Sequence, residues 1–181
     1  MTLPPVSRVP RPSTWFFWYA HLIRPGARVL DLACGEGRHS LAAAALGATV
    51  TAIDRDEARL ATARELAEAQ GWSIDWRIAD LEDTWPELDV FDAVLVFNYL
   101  DRAGMPRVRD RVAPGGVLMI ETFLTAQREL GWGPSSDDHL LLPGELARLV
   151  KPLRILHGRE VVEAIDADRW RAVASIVAVR R

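Results

Sequence analysis

The chain has 181 residues, of which 49% are hydrophobic and 26% are charged, and this composition suits one domain with a buried core rather than two. Its formal net charge of -3 excludes an overall basic field, so we expect no nucleic-acid partner. Cys34 is the only cysteine, which excludes an internal disulfide and predicts a reducing, cytoplasmic setting.

The first part of the chain predicts an arm followed by a short helix. Residues 1–12 are rich in proline and polar side chains and predict a flexible arm. Ser13 or Thr14 predicts the N-cap of a helix within residues 13–24, which a Pro-Gly pair ends. We expect this helix to pack on the single domain of residues 13–181 or to cover its site. No segment reaches the roughly 18 unbroken apolar residues of a membrane span, so no membrane partner is expected.

After this helix, short apolar strands alternate with helices. The predicted elements are a strand at 28–32, a helix at 38–46, a strand at 48–53, a helix at 56–70, strands at 73–78 and 91–97, a helix within 104–113 and a strand at 117–121. Such alternation predicts right-handed crossovers and a mostly parallel, doubly wound sheet with helices on both faces.

The C-terminal part departs from this alternation. A helix is predicted at 143–150, followed by strands at 153–162 and 169–179. The link EAIDAD between these two strands is too short for a parallel crossover, so we predict an antiparallel pair.

The stretch VLDLACGEGRHS, residues 29–40, joins the first strand to the next helix. Gly35 and Gly37 allow a ligand to approach the backbone closely, and the amides that open a helix favour an anion. The pattern of dinucleotide-binding turns fits only in part, because Ser40 occupies the third glycine position. Asp31, four residues before Gly35, would oppose a pyrophosphate and favours a ligand with a positive charge.

Two further acids follow the next two strands. Asp54 comes 19 residues after Gly35, at a place where a carboxylate accepts both hydroxyls of a ribose. Asp80 follows the third strand, so with Asp31 three consecutive strands are followed by Asp at one edge of the sheet. Each acid taken alone is explained as a helix cap or turn former. Three acids in register with a glycine turn favour a ligand site.

The sequence resembles the class I S-adenosylmethionine-dependent methyltransferases over about residues 25 to 125. The residues that carry the resemblance are DLACGEG at 31–37, Asp54, Asp80-Leu81, FDAV at 91–94 and PGG at 114–116. The resemblance implies a Rossmann-like sheet of seven strands in the order 3-2-1-4-5-7-6, with the last pair antiparallel, and S-adenosylmethionine as cofactor. The segments ETF at 121–123 and HLLLPGEL at 139–146 are similar, more loosely, to bacterial tellurite-resistance-type methyltransferases of small molecules.

The resemblance also implies a set of cofactor-binding residues. Asp31 and the turn that follows it would hold the methionine part, Asp54 the ribose, and Asp80 with Leu81 the adenine. Many members of the family have glycine where this chain has Ala33. The full set is Asp31, Ala33, Cys34, Gly35, Gly37, Asp54, Arg55, Asp80, Leu81, Phe97 and Asn98.

Catalytic residues leave a weaker pattern, because methyl transfer mainly requires alignment of an acceptor and exclusion of water. We predict His139, Tyr99 and Arg102 as candidates, and residues 124–142 as a loop able to act as a lid. His39 either contacts substrate or caps a helix. No pair of residues has metal-ligand spacing, so no metal is expected.

The expected reaction is methyl transfer to a small-molecule acceptor. Little of the chain lies outside the predicted core, so no recognition domain for a large substrate is evident. Two alternatives stay open: an NAD-dependent oxidoreductase of Rossmann type, and a non-catalytic domain that binds S-adenosylmethionine.

Overall fold

The structure is a computed structural model that describes residues 10–181. Residues 1–9 of the predicted arm therefore lie outside the described residues, and residues 10–12 form neither helix nor strand. Within the described range the chain folds around one sheet of seven strands.

The strands follow the predicted order closely. They are β1 (Arg28–Leu32), β2 (Thr49–Asp54), β3 (Ile74–Ile78), β4 (Phe91–Phe97), β5 (Val112–Phe123), β6 (Arg154–Ala164) and β7 (Trp170–Val179). Their order across the sheet is β3-β2-β1-β4-β5-β7-β6, which confirms the prediction. Strands β1 to β5 are parallel, whereas β7 runs antiparallel to both β5 and β6.

Helices and short 3-10 turns connect the strands. The helices of residues 10–181 are α1 (Thr14–Tyr19), α2 (Arg38–Ala45), α3 (Glu57–Ala69), α4 (Met105–Asp110) and α5 (Glu145–Leu149), and the 3-10 turns are Ala20–Leu22, Thr125–Leu130 and Asp137–His139. The predicted cap is present, since the Ser13 hydroxyl accepts a hydrogen bond from the amide of Phe16 at 3.0 Å. In the part of the chain that the structure describes, no helix has the length and apolar character that crossing a membrane requires.

The two faces of the sheet bury separate sets of apolar side chains, because successive residues of a strand point to opposite faces. One face carries α1 and α2, and its core includes Phe16, Ala43 and Leu95. The opposite face carries α4 and α5, whose Val108 and Leu146 lie in the other large cluster. Burial of a large apolar side chain contributes about 1.5–3 kcal/mol, so both layers stabilise the sheet. Helices on both faces were predicted and are present.

The region around residues 104–121 differs from the prediction. The helix there has only six residues, and β5 begins at Val112 rather than at residue 117. The cause is an irregular pairing with β4: Phe91 pairs with Val112, and the register shifts before Ala93 pairs with Val117. The Pro-Gly-Gly segment therefore bulges within β5 instead of ending a helix. A side chain at Gly116 would lie 2.9 Å from backbone oxygens, which explains glycine there.

Candidate functional site

The turn between β1 and α2 is built from left-handed backbone conformations. Ala33, Gly35 and Gly37 have φ values of 52°, 57° and 70°. Alanine in this region costs of order 1 kcal/mol, and such strain is concentrated at functional sites. The left-handed backbone gives a physical reason for the glycine that the family resemblance implies at the position of Ala33.

Gly37 has a packing role that the sequence did not reveal. A Cβ atom there would lie 2.7 Å from the Trp76 ring and 3.0 Å from the Cβ of Ala63. The turn therefore rests on β3 and α3 through a position that has no room for a side chain. Gly35 is different, because a Cβ atom there would meet only the flexible end of the Arg59 side chain, 3.4 Å away.

Asp31 lies at the end of β1 and is 1% exposed. The Ser40 hydroxyl donates a hydrogen bond of 2.5 Å to its carboxylate. Burial raises the pKa of Asp31 to about 7, while the Ser40 hydrogen bond opposes this rise. Ser40, at the third glycine position of the turn, is therefore the partner of the strand-end acid. A cationic group beside Asp31 would favour its ionised form.

Cys34 completes the turn as a buried free thiol. Burial raises the pKa of this thiol, and the nearby Asp31 and Asp54 raise it further. The thiol is therefore protonated and unreactive, which agrees with a packing role in the turn.

Asp54 ties the end of β2 to the glycine turn. Its Oδ2 accepts a hydrogen bond of 2.7 Å from the amide of Gly35, and its Oδ1 accepts one of 2.9 Å from the amide of Asp56. Each carboxylate oxygen has a second lone pair, so two ribose hydroxyls can still be accepted. The same residue can thus order the turn and bind a ligand.

Asp80 lies in the turn that follows β3, two residues beyond the strand's last residue, Ile78. Its Oδ1 accepts a hydrogen bond of 3.0 Å from the amide of Glu82. Asp80 therefore also stabilises the turn, as an aspartate at such a position does without any ligand. Arg55 approaches the other oxygen at 3.5 Å. This exposed pair leaves the Asp80 carboxylate accessible to a ligand.

Asn98 follows β4 and has a φ of 58°, again left-handed. Its amide donates a hydrogen bond of 2.8 Å to the carbonyl of Glu121. Asparagine tolerates this conformation better than other side chains that carry a Cβ. The central strands β1 and β4 therefore both end in a left-handed turn, and the two turns face the same groove.

Two adjoining cavities form this groove at the carboxyl ends of the parallel strands. The larger has a volume of about 310 Å³ and the smaller about 210 Å³, and they share Ala33, Arg59 and Asn98. Of the predicted cofactor residues, all except Gly37 line one cavity or both: Asp31, Ala33, Cys34, Gly35, Asp54, Arg55, Asp80, Leu81, Phe97 and Asn98. This position is the one at which doubly wound sheets bind ligands.

Other residues that the sequence pattern did not indicate also line the groove. Arg38 and Glu36 line the smaller cavity, Pro134 lines the larger, and Arg59 lines both. Adjacency to the glycine turn was an available signal for Glu36 and Arg38. Pro134 lies in the loop of residues 124–142 that we predicted as a possible lid, whereas Arg59 of α3 carries no such signal, because only the fold brings it to the groove.

Tyr99 lines the larger cavity, where its hydroxyl is buried and has no hydrogen-bond partner within residues 10–181. Burial raises the pKa of this phenol, and Asp101 and Glu82 raise it further, so the hydroxyl keeps its proton. An unpaired buried donor is costly. The protein covers this hydroxyl, and the catalytic role predicted for Tyr99 stays a prediction.

His139 also lines the larger cavity, together with Thr122, Phe123 and Pro134. It ends the 3-10 turn Asp137–His139 and is exposed. The residues that follow β5 thus form a wall of the groove beside the predicted cofactor residues. A role of His139 as a base stays a prediction.

The guanidinium of Arg102 is occupied by hydrogen bonds to other parts of the protein, and its predicted catalytic role stays a prediction. Its Nε and Nη2 donate to the two carboxylate oxygens of Glu145, at 2.6 and 3.1 Å. Nη1 donates to the carbonyls of Asp137 and Asp138, both at 3.1 Å, and Nη2 to that of Leu140 at 2.7 Å. All five guanidinium N–H groups are engaged. Arg102 therefore fastens the segment that carries the predicted base to the residues after β4.

Replacement of Arg102 by alanine is expected to loosen residues 137–142, because their carbonyls and Glu145 lose these donors. Hydrogen–deuterium exchange should show faster exchange of amides in this segment, with little change in α3. Glu145→Gln keeps the bonds to the carbonyls and should have a smaller effect. Equal exchange in the wild type and Arg102→Ala would show that other contacts hold the segment.

A buried ionic network lies beside the groove at the ends of β5, β6 and β7. Glu121 is 0% exposed and accepts hydrogen bonds of 2.8 Å from Arg171 and from the Ser175 hydroxyl. Arg171 and Arg159 also bind Glu163. In the sequence, Glu121 is a single acid near the end of an apolar strand, which is a weak signal for a buried ionic network. This position does not indicate which residues are its partners.

His39 does not cap α2, since no side chain of the described residues does so. Its imidazole faces α1 and also lines the smaller cavity, so contact with a substrate stays a prediction. Its Nε2 accepts a hydrogen bond of 3.1 Å from the amide of Ser13, and its ring stacks on Phe97 with centroids 3.8 Å apart. Burial lowers the pKa of His39 well below its usual value, so the ring is neutral. His39 thus joins the start of α1 to the groove.

Two buried polar atoms of residues that line the groove have no hydrogen-bond partner among residues 10–181. Besides the Tyr99 hydroxyl in the larger cavity, Nη2 of Arg38, which lines the smaller one, is buried without a hydrogen-bond partner in the described part of the chain. Asp31 and Asp54 supply acceptors between them. In residues 10–181 no three His, Cys, Asp or Glu side chains are grouped as metal ligands, and the absence of a metal stays a prediction.

The chain is similar to known methyltransferases. The family described as "Methyltransferase domain" matches residues 29–116, which include the glycine turn and all three acids. The chain is 36% identical over 149 residues to a ubiquinone biosynthesis O-methyltransferase of Methylocella silvestris, covering 72% of this chain and 58% of that protein. It is 34% identical over 129 residues to a ribosomal protein L11 methyltransferase of Symbiobacterium thermophilum, covering 70% and 42%. The chain thus spans about half the length of these relatives.

Solved structures share the fold at low sequence identity. TehB from Haemophilus influenzae superposes with a TM-score of 0.80 and 20% identity, over 94% of this chain and 63% of that one. An S-adenosylmethionine-dependent methyltransferase from Mesorhizobium loti gives a TM-score of 0.70 and 20% identity, over 93% and 99%. These likenesses support the fold.

Proposed function

We propose that this chain is a class I S-adenosylmethionine-dependent methyltransferase, which its similarity to known methyltransferases supports, and that it transfers a methyl group from S-adenosylmethionine to a small-molecule acceptor. The observation that carries the proposal is the single groove that collects Asp31, Asp54 and Asp80 around the glycine turn. These acids match a ligand that contains an ammonium group, a ribose and an amino-substituted base.

In this proposal the cofactor occupies both cavities, with the methionine part in one and the adenosine part in the other. Asp31 in the smaller cavity would accept the ammonium group of the methionine part. Asp54 would accept the ribose hydroxyls, and Asp80 with Leu81 would hold the adenine in the larger cavity. A pyrophosphate fits less well, because Ser40 occupies the third glycine position of dinucleotide-binding turns and the carboxylate of Asp31, which it hydrogen-bonds, would oppose a pyrophosphate. This argues against the NAD-dependent alternative.

The cofactor supplies an activated methyl group, and the chain supplies alignment and a dry environment. The left-handed turns at Ala33 and Asn98 let the backbone approach the ligand from two strands. The wall that contains Phe123, Pro134 and His139 would shield the reacting atoms from water. If the acceptor must lose a proton, His139 is the base that we propose.

A small acceptor is favoured by the modest volumes of the two cavities, about 310 and 210 Å³. The names of the relatives do not decide this point, since one refers to ubiquinone biosynthesis and the other to a ribosomal protein. The family described as "Methyltransferase domain" matches residues 29–116, which include the proposed cofactor-binding residues. A cytoplasmic location and the absence of a nucleic-acid partner stay predictions.

The proposed function is tested in two steps. Calorimetry should detect binding of S-adenosylmethionine and S-adenosylhomocysteine, with no binding of NADH. Release of S-adenosylhomocysteine is then measured against a panel of phenols, amines, thiols, carboxylates and inorganic oxyanions, with a ribosomal extract as the large-substrate control. Failure to bind either adenosyl ligand would refute the proposal, and turnover only with the extract would refute a small acceptor.

Replacement of Asp54 by alanine is expected to weaken S-adenosylhomocysteine binding by about 1–3 kcal/mol, because ribose hydroxyls lose a charged acceptor and the Gly35 amide loses its partner. Calorimetry measures the change. Asp56→Ala is the control: its carboxylate caps α3 through the amide of Arg59. The control should lower the melting temperature without changing affinity. Unchanged affinity in Asp54→Ala would remove the ribose assignment.

A further inference from the structure

Strand β6 lies at one edge of the sheet, and its outer side has no ladder partner among residues 10–181. With 11 residues it is long for an edge strand, whereas β3, at the opposite edge, has only 5. In the described range, no backbone hydrogen bond joins β6 to an element other than β7. A long edge whose amides and carbonyls are unpaired is a template for another strand.

A bulge near the start of β6 decides which of its side chains share a face. The pairing with β7 shifts its register after Ile155, so Leu156 is an extra residue in β6. In a regular strand, residues seven positions apart point to opposite faces, because side chains alternate. With the extra residue, Ile155 and Val162 lie on the same face. Their partners in β7, Ala178 and Ala172, both belong to the core cluster that α5 covers.

The side chains of β6 on this face leave an accessible apolar pair. Ile155 is 38% exposed and Val162 is 53% exposed. Glu160 lies between them on the same face, and its Oε1 accepts a hydrogen bond of 2.7 Å from the amide of Gly144, where α5 begins. The charge on this face is therefore already directed at α5, and the two apolar side chains are left for a partner.

The charges of β6 are divided between its two ends. Its first half, RILHGR, contains Arg154 and Arg159, and its second half, EVVEA, contains Glu160 and Glu163. Two copies of such a strand match in charge only when they run antiparallel, because a parallel pair would place like charges together. Arg154 is exposed and belongs to none of the ion pairs of the described residues, so it is available to an acid of a second copy.

We propose that two copies of this chain pair through β6, about a two-fold axis perpendicular to the sheet, and so form one continuous sheet. Such an axis places residues of the same face opposite each other. With Leu156 left outside the new ladder, Ile155 lies opposite Val162 of the second copy. On the other face, Arg154 lies opposite Glu163 of the second copy. The symmetry repeats the apolar pair and the charge pair, so each occurs twice in the interface.

Arg159 falls at the centre of this arrangement, opposite its equivalent in the second copy. Its charge is already balanced within its own chain, since Nη1 donates a hydrogen bond of 2.8 Å to Glu163. The guanidinium also lies over the rings of Trp15 and Trp18, with Cζ 5.1 and 4.9 Å from the ring centroids. The group is therefore directed at α1 rather than across the two-fold axis.

Sedimentation velocity at micromolar concentrations tests the pairing. The wild type should sediment as a dimer, and Val162→Lys, which occurs twice in the interface, should weaken association about tenfold or more. Ile78→Lys is the matched control, because Ile78 ends β3 at the opposite edge of the sheet and is 56% exposed. The control should leave the dimer unchanged. A monomeric wild type, or equal association of the two variants, would overturn the inference.

The charge pairing is tested with the same measurement. Arg154→Glu would face Glu163 of the second copy and should weaken association about threefold to tenfold, whereas Arg154→Lys should change it less than about twofold. Equal association of the wild type and both variants would contradict the charge match on which the inference rests.

A disulfide test examines the register. Ile155→Cys and Val162→Cys combined in one chain should give a covalent dimer on mild oxidation, because each new thiol lies opposite the other one in the second copy. Within one chain the two positions are roughly 20 Å apart, which excludes an internal bond. The native Cys34 is buried and does not compete. Each single variant should cross-link much less. Absence of the covalent dimer, or equal cross-linking of a single variant, would overturn the inferred pairing.

Discussion

Gly37→Ala is expected to lower the free energy of unfolding by about 2–4 kcal/mol, the largest stability effect that we expect from one added methyl group in the turn. The new Cβ would lie 2.7 Å from the Trp76 ring and 3.0 Å from Ala63. The ring belongs to β3 and Ala63 to α3, and neither is the free end of a flexible side chain. Crowding accounts for about 1–3 kcal/mol and the left-handed backbone for about 1 kcal/mol.

Two other glycines separate these contributions. Gly71→Ala adds a methyl group at a φ of 71° with nothing within 4 Å in the described part of the chain, so it isolates the backbone cost of about 1 kcal/mol. Gly35→Ala, at a φ of 57°, meets only the end of Arg59, so its stability loss should resemble that of Gly71→Ala. Urea unfolding of the three variants measures the differences. A loss in Gly37→Ala no larger than in Gly71→Ala would show that the turn yields without strain.

The affinity for S-adenosylhomocysteine is expected to rise with pH through about pH 7, because the ligand ammonium group requires ionised Asp31. Burial raises the pKa of this carboxyl to about 7 in the free protein, and a bound cation would lower it. Binding then releases a proton. The affinity should therefore fall by up to about tenfold for each pH unit below 7 and be nearly constant just above it.

Calorimetry at several pH values, in buffers of different ionisation enthalpy, measures both the affinity and the proton release. Asp31→Asn should lose this dependence and bind about 1.5–3 kcal/mol more weakly above pH 7. Ser40→Ala should move the midpoint to higher pH, because the Ser40 hydrogen bond lowers the pKa of Asp31. Binding of 5′-methylthioadenosine, which has no ammonium group, serves as the pH control. Affinity of the wild type that is independent of pH would contradict the role of Asp31.

The sheet was predictable because its signals are local. Each parallel strand is a short apolar run, and β1 and β4 begin and end where the sequence pattern placed them. The antiparallel β6–β7 pair followed from the length of its link. Where the prediction differed, at the start of β5, the cause is a register shift against β4, which involves residues about 20 positions apart.

The cofactor side of the groove was predictable for a related reason. In a parallel sheet, residues that follow neighbouring strands meet at one edge, so the spacing of Asp31, Asp54 and Asp80 already implied their convergence. The individual hydrogen bonds were not predictable. Asp54 orders the turn through Gly35, and Ser40 binds Asp31, and these contacts depend on how α2 and β2 are placed against β1.

The acceptor side was much less accessible to sequence reasoning. Arg102 resembled a candidate catalytic residue because it follows β4, yet its partner Glu145 lies 43 residues further along the chain. Glu121 binds Arg171 across 50 residues. Such pairs leave no periodic pattern, and each charged residue alone is more simply explained by solvation.

The amino-acid sequence by itself determined the class of the fold, through apolar periodicity and turn residues, and the place of a ligand site, through the spacing of acids after strands. The order of the strands and the identity of the cofactor were implied by the resemblance to class I S-adenosylmethionine-dependent methyltransferases. Only the tertiary structure shows which of these residues face the groove and why a side chain at position 37 would not fit. It also shows that Nη2 of Arg38 has no hydrogen-bond partner among the described residues. The physical reason is that hydrogen bonding, burial and pKa are set by neighbours in space, which packing of the helices on the sheet brings together.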